Sequence, residues 1–195
     1  MKMIMVLMLS AVFFTVLYAD TTPVTQRIRS DYATIEKTIT ESGYSHSKIS
    51  IGGGQNPNEI DVWYIGGTEK EFMNDPYDAP FFVRRITIMK MLPAVGQVSL
   101  QMNFDDAGDV FFIFGQGVDL ANTGIELMPP STYRVYFHEK KAYKLIVEDA
   151  PEGNGYTVDL RSEKDSDKKK LVENAGNVLF AYARSLREAM NTMAR

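Results

Sequence analysis

The sequence predicts an α+β domain, an antiparallel meander of about six strands with an N-terminal and a C-terminal helix packed on one face. Three observations predict it. Stretches with apolar residues at helical spacing stand at the two ends of the mature chain. Between them lie short runs rich in β-branched and aromatic residues, divided by turn signals. The links between the clearest of these runs are too short for crossover helices, so neighbouring strands must be antiparallel. The 195 residues, 45% hydrophobic and 24% charged, have the composition of one ordinary globular domain.

In chain order, residues 1–19 read as a secretory signal peptide. Lys2 supplies the positive start, an apolar run of about 16 residues follows, and Ala19 offers a small residue before the polar Asp20. The run falls short of the roughly 20 residues that a spanning helix needs, which favours cleavage over anchoring. Residues 20–195 then form a single α+β domain with no later segment apolar enough for stable membrane insertion. The chain has no cysteine and no Asn-x-Ser/Thr acceptor, whereas small secreted eukaryotic domains commonly carry disulfides. Together these point to a bacterial exported protein, periplasmic or secreted.

The first helix should open at Thr22-Pro23, with Thr as N-cap and Pro at the first helical position. Val24, Ile28, Tyr32, Ile35 and Ile39 form one apolar stripe, and Gly43 is the expected left-handed stop. Residues 44–58 read as turn-rich and without a period. Strands are expected at 59–65, 81–92, 97–104, 110–114, 132–138 and 142–147. Residues 97–104 alternate most cleanly, with Val98, Leu100, Met102 and Phe104 on one side. Residues 110–114 (VFFIF) are apolar on both sides, so that strand is central or covered twice. The last helix is expected over about 165–193, with Leu171, Val172, Ala175, Val178, Leu179, Tyr182, Leu186, Met190 and Met193 as its stripe. Asp165 and Asp167 suit its positive end, and Gly176 suggests close approach to the sheet. Burying about ten stripe residues at about 2 kcal/mol each is ample to dock two helices before entropy is counted.

Gly52–Gly54, Arg85–Ile88, Phe104–Phe114 and Tyr133–Phe137 stand in an order that resembles a class of small exported bacterial α+β proteins of unassigned function, built from strand–turn–strand units. The resemblance supports export and the meander and carries no catalytic residues with it.

Chemistry-bearing patterns are few. Asp105, Asp106 and Asp109 place three carboxylates around Gly108, a set that suits a hard cation. The calcium-loop spacing is not met, and a polar hairpin turn accounts for the same residues. Asn74, Asp75 and Asp78 pose the same choice. The two histidines, His46 in a polar loop and His138 at a strand end, have no spacing that makes a zinc site or a nucleophile triad. Residues 49–58 lack the phosphate-loop pattern. No cofactor is implied.

With both helices on one side, the other side of the sheet would be open. It would present Arg85, Gln101, Asn103, Arg134, Tyr136 and His138, with Thr87 and Ser99, as a binding surface, since arginine and tyrosine make interface anchors. A net charge of −4 argues against nucleic acid as a partner. The expected function is therefore a non-catalytic binding protein, of the inhibitor or immunity type, acting on an envelope hydrolase or toxin. The alternative is a binder of small ligands or lipids in an adaptable methionine-bearing core (Met89, Met91, Met102, Met190 and Met193, with Met73 and Met128). A hydrolase built from His138, Asp105 and Asp109 ranks third.

Overall fold

A computed structural model describes residues 22–52, 58–66, 82–92, 96–117, 131–148 and 155–193. The expected signal peptide, the Asn74-Asp75-Asp78 loop, Gly53 and Gly54, and Met73 and Met128 lie outside the described residues. Helix α1 (Pro23–Thr40) comes first and helix α2 (Ser166–Met193) last. Between them run β1 (Ser45–Ile51), β2 (Asn58–Ile65), β3 (Phe82–Leu92), β4 (Gly96–Phe104), β5 (Val110–Gln116), β6 (Thr132–His138), β7 (Lys141–Glu148) and β8 (Tyr156–Asp159). They form one sheet in sequential order, and every neighbouring pair is antiparallel. The α+β meander is thus as expected, with eight strands rather than six.

The two additional strands are the sheet's edges. β1 (SHSKISI) is polar and almost wholly exposed, so it carries little of the apolar alternation that marks a half-buried strand. β8 has four residues, of which Val158 alone is buried.

The helices pack on opposite faces, which corrects the expectation of a single covered side. On one face, Ile60, Val62, Ile86, Leu100, Met102, Phe104, Ile113, Tyr133, Val135, Leu145, Val147 and Val158 form a core with Val172, Ala175, Leu179, Ala183 and Met190 of α2. On the other, Ile28 and Ile35 of α1 meet Phe111, Phe112, Tyr136 and Tyr143. The reason lies in the central strands. Phe112, Phe114, Tyr136 and Ile146 alternate with the residues of the first core, so β5 to β7 are apolar on both faces. Leaving the second face wet would expose several aromatic side chains, each worth about 1.5–3 kcal/mol when buried. The Val24–Ile28–Tyr32–Ile35–Ile39 stripe covers them.

The caps fix the helix ends. Thr22 Oγ1 accepts the Thr25 N–H at 3.4 Å and an N–H of Arg161 at 2.9 Å. At the far end of α1, Gly43 N–H bonds Thr38 O (2.8 Å) and Ser42 N–H bonds Ile39 O (3.1 Å), a Schellman arrangement. Its left-handed residue is Ser42 (φ 57°), not the expected Gly43. Asp165 caps α2, its carboxylate accepting the N–H groups of Asp167 (2.9 Å) and Lys168 (3.3 Å).

On α2, Val178 and Tyr182 were expected in the buried stripe but are 43% and 44% exposed. Val172, Ala175, Leu179 and Met190 face the sheet as expected, and Ala183 and Gly176 join them there. Ala175, Gly176 and Ala183 are buried, and a Cβ at Gly176 would lie 2.2 Å from the Ala142 Cβ on β7. The expected close approach at Gly176 is therefore present, and it lets the helix backbone sit against the strand.

Candidate functional site

The α1 face carries a row of side chains that follows the ladder from one edge of the sheet to the other. In register these are His46, Trp63, Arg85, Asn103, Phe112, Tyr136, Lys144 and Asp159. Each stands on the same side because the strand period is two. Helix α1 lies over the middle of this row. Tyr32 meets the Phe112 ring edge-on at 5.1 Å, and the Arg85 guanidinium sits 5.3 Å from the Tyr32 ring centroid. At the other end of the helix, the Thr25 and Tyr143 hydroxyls share a buried hydrogen bond of 3.0 Å.

Arg85 is the hub of the row. Its Nε donates to Asn103 Oδ1 at 2.8 Å, and its Nη2 lies 2.9 Å from a carboxylate oxygen of Glu36 on α1. Asn103 Nδ2 in turn donates to the Phe112 carbonyl at 3.2 Å. A buried arginine is costly unless its charge and donors are matched; here Asn103 satisfies Nε, while Nη2 is balanced by the Glu36 charge as an ion pair without a hydrogen bond. Burial, and then the nearby Glu36 charge, push the Tyr32 hydroxyl up to about 12, so that group stays protonated at neutral pH. Burial likewise raises Tyr136.

Three of the residues expected on an open face are therefore closed. Arg85, Asn103 and Tyr136 are 4%, 0% and 3% exposed beneath α1. Gln101 and Arg134 lie one step further along their strands and are half-buried, as are Thr87, Ser99, Phe114 and Ile146 around them. This second row, running Thr87–Gln101–Phe114–Arg134–Ile146 in register, lies next to the first and is only partly covered, with Phe114 and Ile146 packed against the α1 core. Arg134 is held in it by Glu148 at 2.6 Å. His138 stands apart, exposed at the end of β6 and 3.9 Å from Glu139.

The aspartate turn joins β4 to β5 and spends its carboxylates within the protein. Asp105 accepts the Asp109 N–H at 2.9 Å, Asp106 pairs with Arg84, and Asp109 lies 3.2 Å from Lys140. Gly108 takes φ 78° to close the turn, and Arg187 of α2 donates to its carbonyl. Among the described residues, no three histidine or acidic side chains gather as metal ligands. His138 is turned toward Glu139 and not toward Asp105 or Asp109, so the hydrolase arrangement expected of these three does not assemble.

Sequence reasoning missed the pair formed by His46 and Asp61. His46 lies on edge strand β1 rather than in a loop, 2.7 Å from Asp61 Oδ1, with its ring stacked on Trp63 at 4.8 Å. The adjacent Ser47 points to the opposite face, where its hydroxyl is 3.4 Å from the Tyr64 hydroxyl. Strand alternation thus separates the hydroxyl from the histidine, and no serine–histidine–aspartate relay forms there. The signal that could have revealed the pair is the Asp61–Trp63 spacing, which puts both on one face, but the partner strand was not legible.

The expected methionine lining divides as well. Met102 and Met190 belong to the same core, whereas Met91 is exposed. No helix among the described residues is long and apolar enough to cross a membrane. Comparison with known proteins finds no matching family model, no matching curated protein and no matching solved structure.

Proposed function

We propose that this chain is exported to the bacterial envelope, where it acts without catalysis by binding another protein, such as a secreted hydrolase or toxin that it neutralises. The observation that supports this reading is the row Thr87–Gln101–Phe114–Arg134–Ile146 on the α1 face, which the helix leaves partly exposed. It joins an aromatic ring, an aliphatic side chain, an amide and an ion-paired arginine on a rigid sheet, the mixture from which protein interface anchors are drawn. The chemistry-bearing groups nearby are committed to one another in pairs: Arg85 with Glu36, Arg134 with Glu148 and His46 with Asp61. That pairing favours a preorganised recognition surface over an active site. The net charge of −4 suits a basic target, which would gain association rate from long-range attraction.

The mature chain, immobilised and challenged with periplasmic extract, should retain one stoichiometric partner. Gln101→Lys and Phe114→Ala, both in the half-buried row, should release it while the fold is kept. Loss of nothing on these substitutions, or recovery of no partner at several salt concentrations, would refute the reading.

A further inference from the structure

Where α2 crosses the β4–β5 and β6–β7 turns, a cavity of about 370 Å3 opens between helix and turns. That volume falls in the range of small-molecule sites. The partly buried Phe180 supplies an apolar wall, backed by the fully buried Phe104. The polar lining holds three cations, Lys140, Arg184 and Arg187, against two carboxylates, Asp109 and Glu188. Both carboxylates are already engaged. Asp109 lies 3.2 Å from Lys140, and Glu188 accepts from Arg184 Nε at 2.8 Å. Arg187 is the cation left over. One of its terminal nitrogens donates to the Gly108 carbonyl, which fixes the plane of the guanidinium, and its buried Nε has no acceptor among the described residues. Gly108 is part of the design, since a side chain there would overlap the Arg187 guanidinium.

We propose that this cavity binds a small organic anion, one oxyanion head on a compact apolar body. The surplus of one positive charge matches a singly charged head, carboxylate or phosphate ester. Such a head can meet the Arg187 guanidinium, with Lys140 and Arg184 beside it, through charge-assisted hydrogen bonds. The Phe180 ring beside the cations favours a head that carries a ring or short chain over a bare inorganic ion. This site lies on the α2 face and is independent of the proposed protein-binding row on the α1 face.

The test is a titration of the full mature chain at constant ionic strength, followed by the amide signals of Gly108, Asp109 and Lys140. Four probes are compared: sodium benzoate, phenyl phosphate, inorganic phosphate and benzyl alcohol. Benzoate or phenyl phosphate should shift these signals saturably, with a Kd of about 1 mM or below. Whichever is tighter identifies the head. Inorganic phosphate and benzyl alcohol, each lacking one half of the ligand, should bind at least about tenfold more weakly. Arg187→Gln should weaken the aromatic anions about tenfold and leave benzyl alcohol unchanged. Arg184→Gln, at an exposed position that leaves the core intact, should weaken them as well by neutralising the cavity. Shifts that do not saturate, benzyl alcohol or inorganic phosphate binding as tightly as the aromatic anions, or both variants binding like the parent, would overturn the proposal.

Discussion

Replacing Gly176 by alanine sets two effects of known size against each other. In an isolated helix the change would stabilise by about 1 kcal/mol, because alanine loses less backbone freedom. Here the new methyl would lie 2.2 Å from the Ala142 Cβ and 3.4–3.5 Å from the Ala142 backbone. Ala142 cannot rotate away, so helix and strand must separate by roughly 1 Å to restore ordinary contact. Overpacking of this kind costs about 1–3 kcal/mol and strains the core contacts of the flanking Val172, Ala175 and Leu179. We expect Gly176→Ala to destabilise by about 1–2 kcal/mol, lowering Tm by about 3–6 °C at this chain length. Urea unfolding of the parent, both single variants and the Gly176→Ala/Ala142→Gly pair gives the cycle. Ala142→Gly alone should cost about 0.5–1 kcal/mol as a strand glycine, and in the double variant the two losses should partly cancel. A Gly176→Ala protein about 1 kcal/mol more stable than its parent would refute the packing of α2 on β7.

Three further outcomes follow from local chemistry. The β6–β7 link has φ values of 49° at Glu139 and 66° at Lys140, the type I′ geometry that favours Asn-Gly, so Glu139→Asn/Lys140→Gly should raise stability by about 1 kcal/mol despite losing the exposed Lys140–Asp109 pair; a lower Tm would contradict that backbone. Arg85→Ala strips a fully buried Asn103 of its partner and should cost about 3 kcal/mol or more in chemical denaturation, while Glu36→Gln, at a partly exposed carboxylate, should cost about 1 kcal/mol; equal losses would mean that Arg85 does not organise the row. At Asp159, partial burial pushes the carboxyl up, but hydrogen bonds and charge from Arg161 outweigh it and hold the group below its usual range. A depressed carboxylate adds stability above its unfolded value, about pH 4, and that stability disappears as pH falls through its folded value. Arg161→Gln should therefore shrink the stability difference between about pH 6 and about pH 3, and an unchanged difference would count against the pairing.

The helices and the central strands were legible because their signals are local. Thr22-Pro23 announces a helix start, the four- and three-residue steps from Val24 to Ile39 announce a stripe, and Leu100, Met102 and Phe104 announce a buried face. The edges were not legible, because an edge strand such as β1 needs no apolar side and takes its hydrogen bonds from β2. The choice of face was written in residues 110–114, apolar on both sides, and it required weighing that strand against two helices rather than grouping both helices with the clean alternation of 97–104. In α2, Val178 and Tyr182 look like stripe residues because they are large and apolar, whereas close helix–sheet packing also selects small residues such as Ala183, which the stripe leaves out. Of the candidate site, residue types were visible but not their closure. Arg85, Asn103 and Tyr136 look like an open polar face until a carboxylate from α1, 49 positions from Arg85 in the chain, is brought over them.

The opposite placement of the helices is decided most directly by aromatic nuclear Overhauser contacts in the full chain. Tyr32 of α1 should show cross-peaks to the Phe112 ring, 5.1 Å away between centroids, and Phe180 of α2 should show them to Phe137, 6.1 Å away. Tyr32 should show none to Phe180 or to Leu179, across the sheet. A contact between Tyr32 and the α2 residues, with Phe112 free of both helices, would put both helices on one side and contradict the architecture on which the site rests.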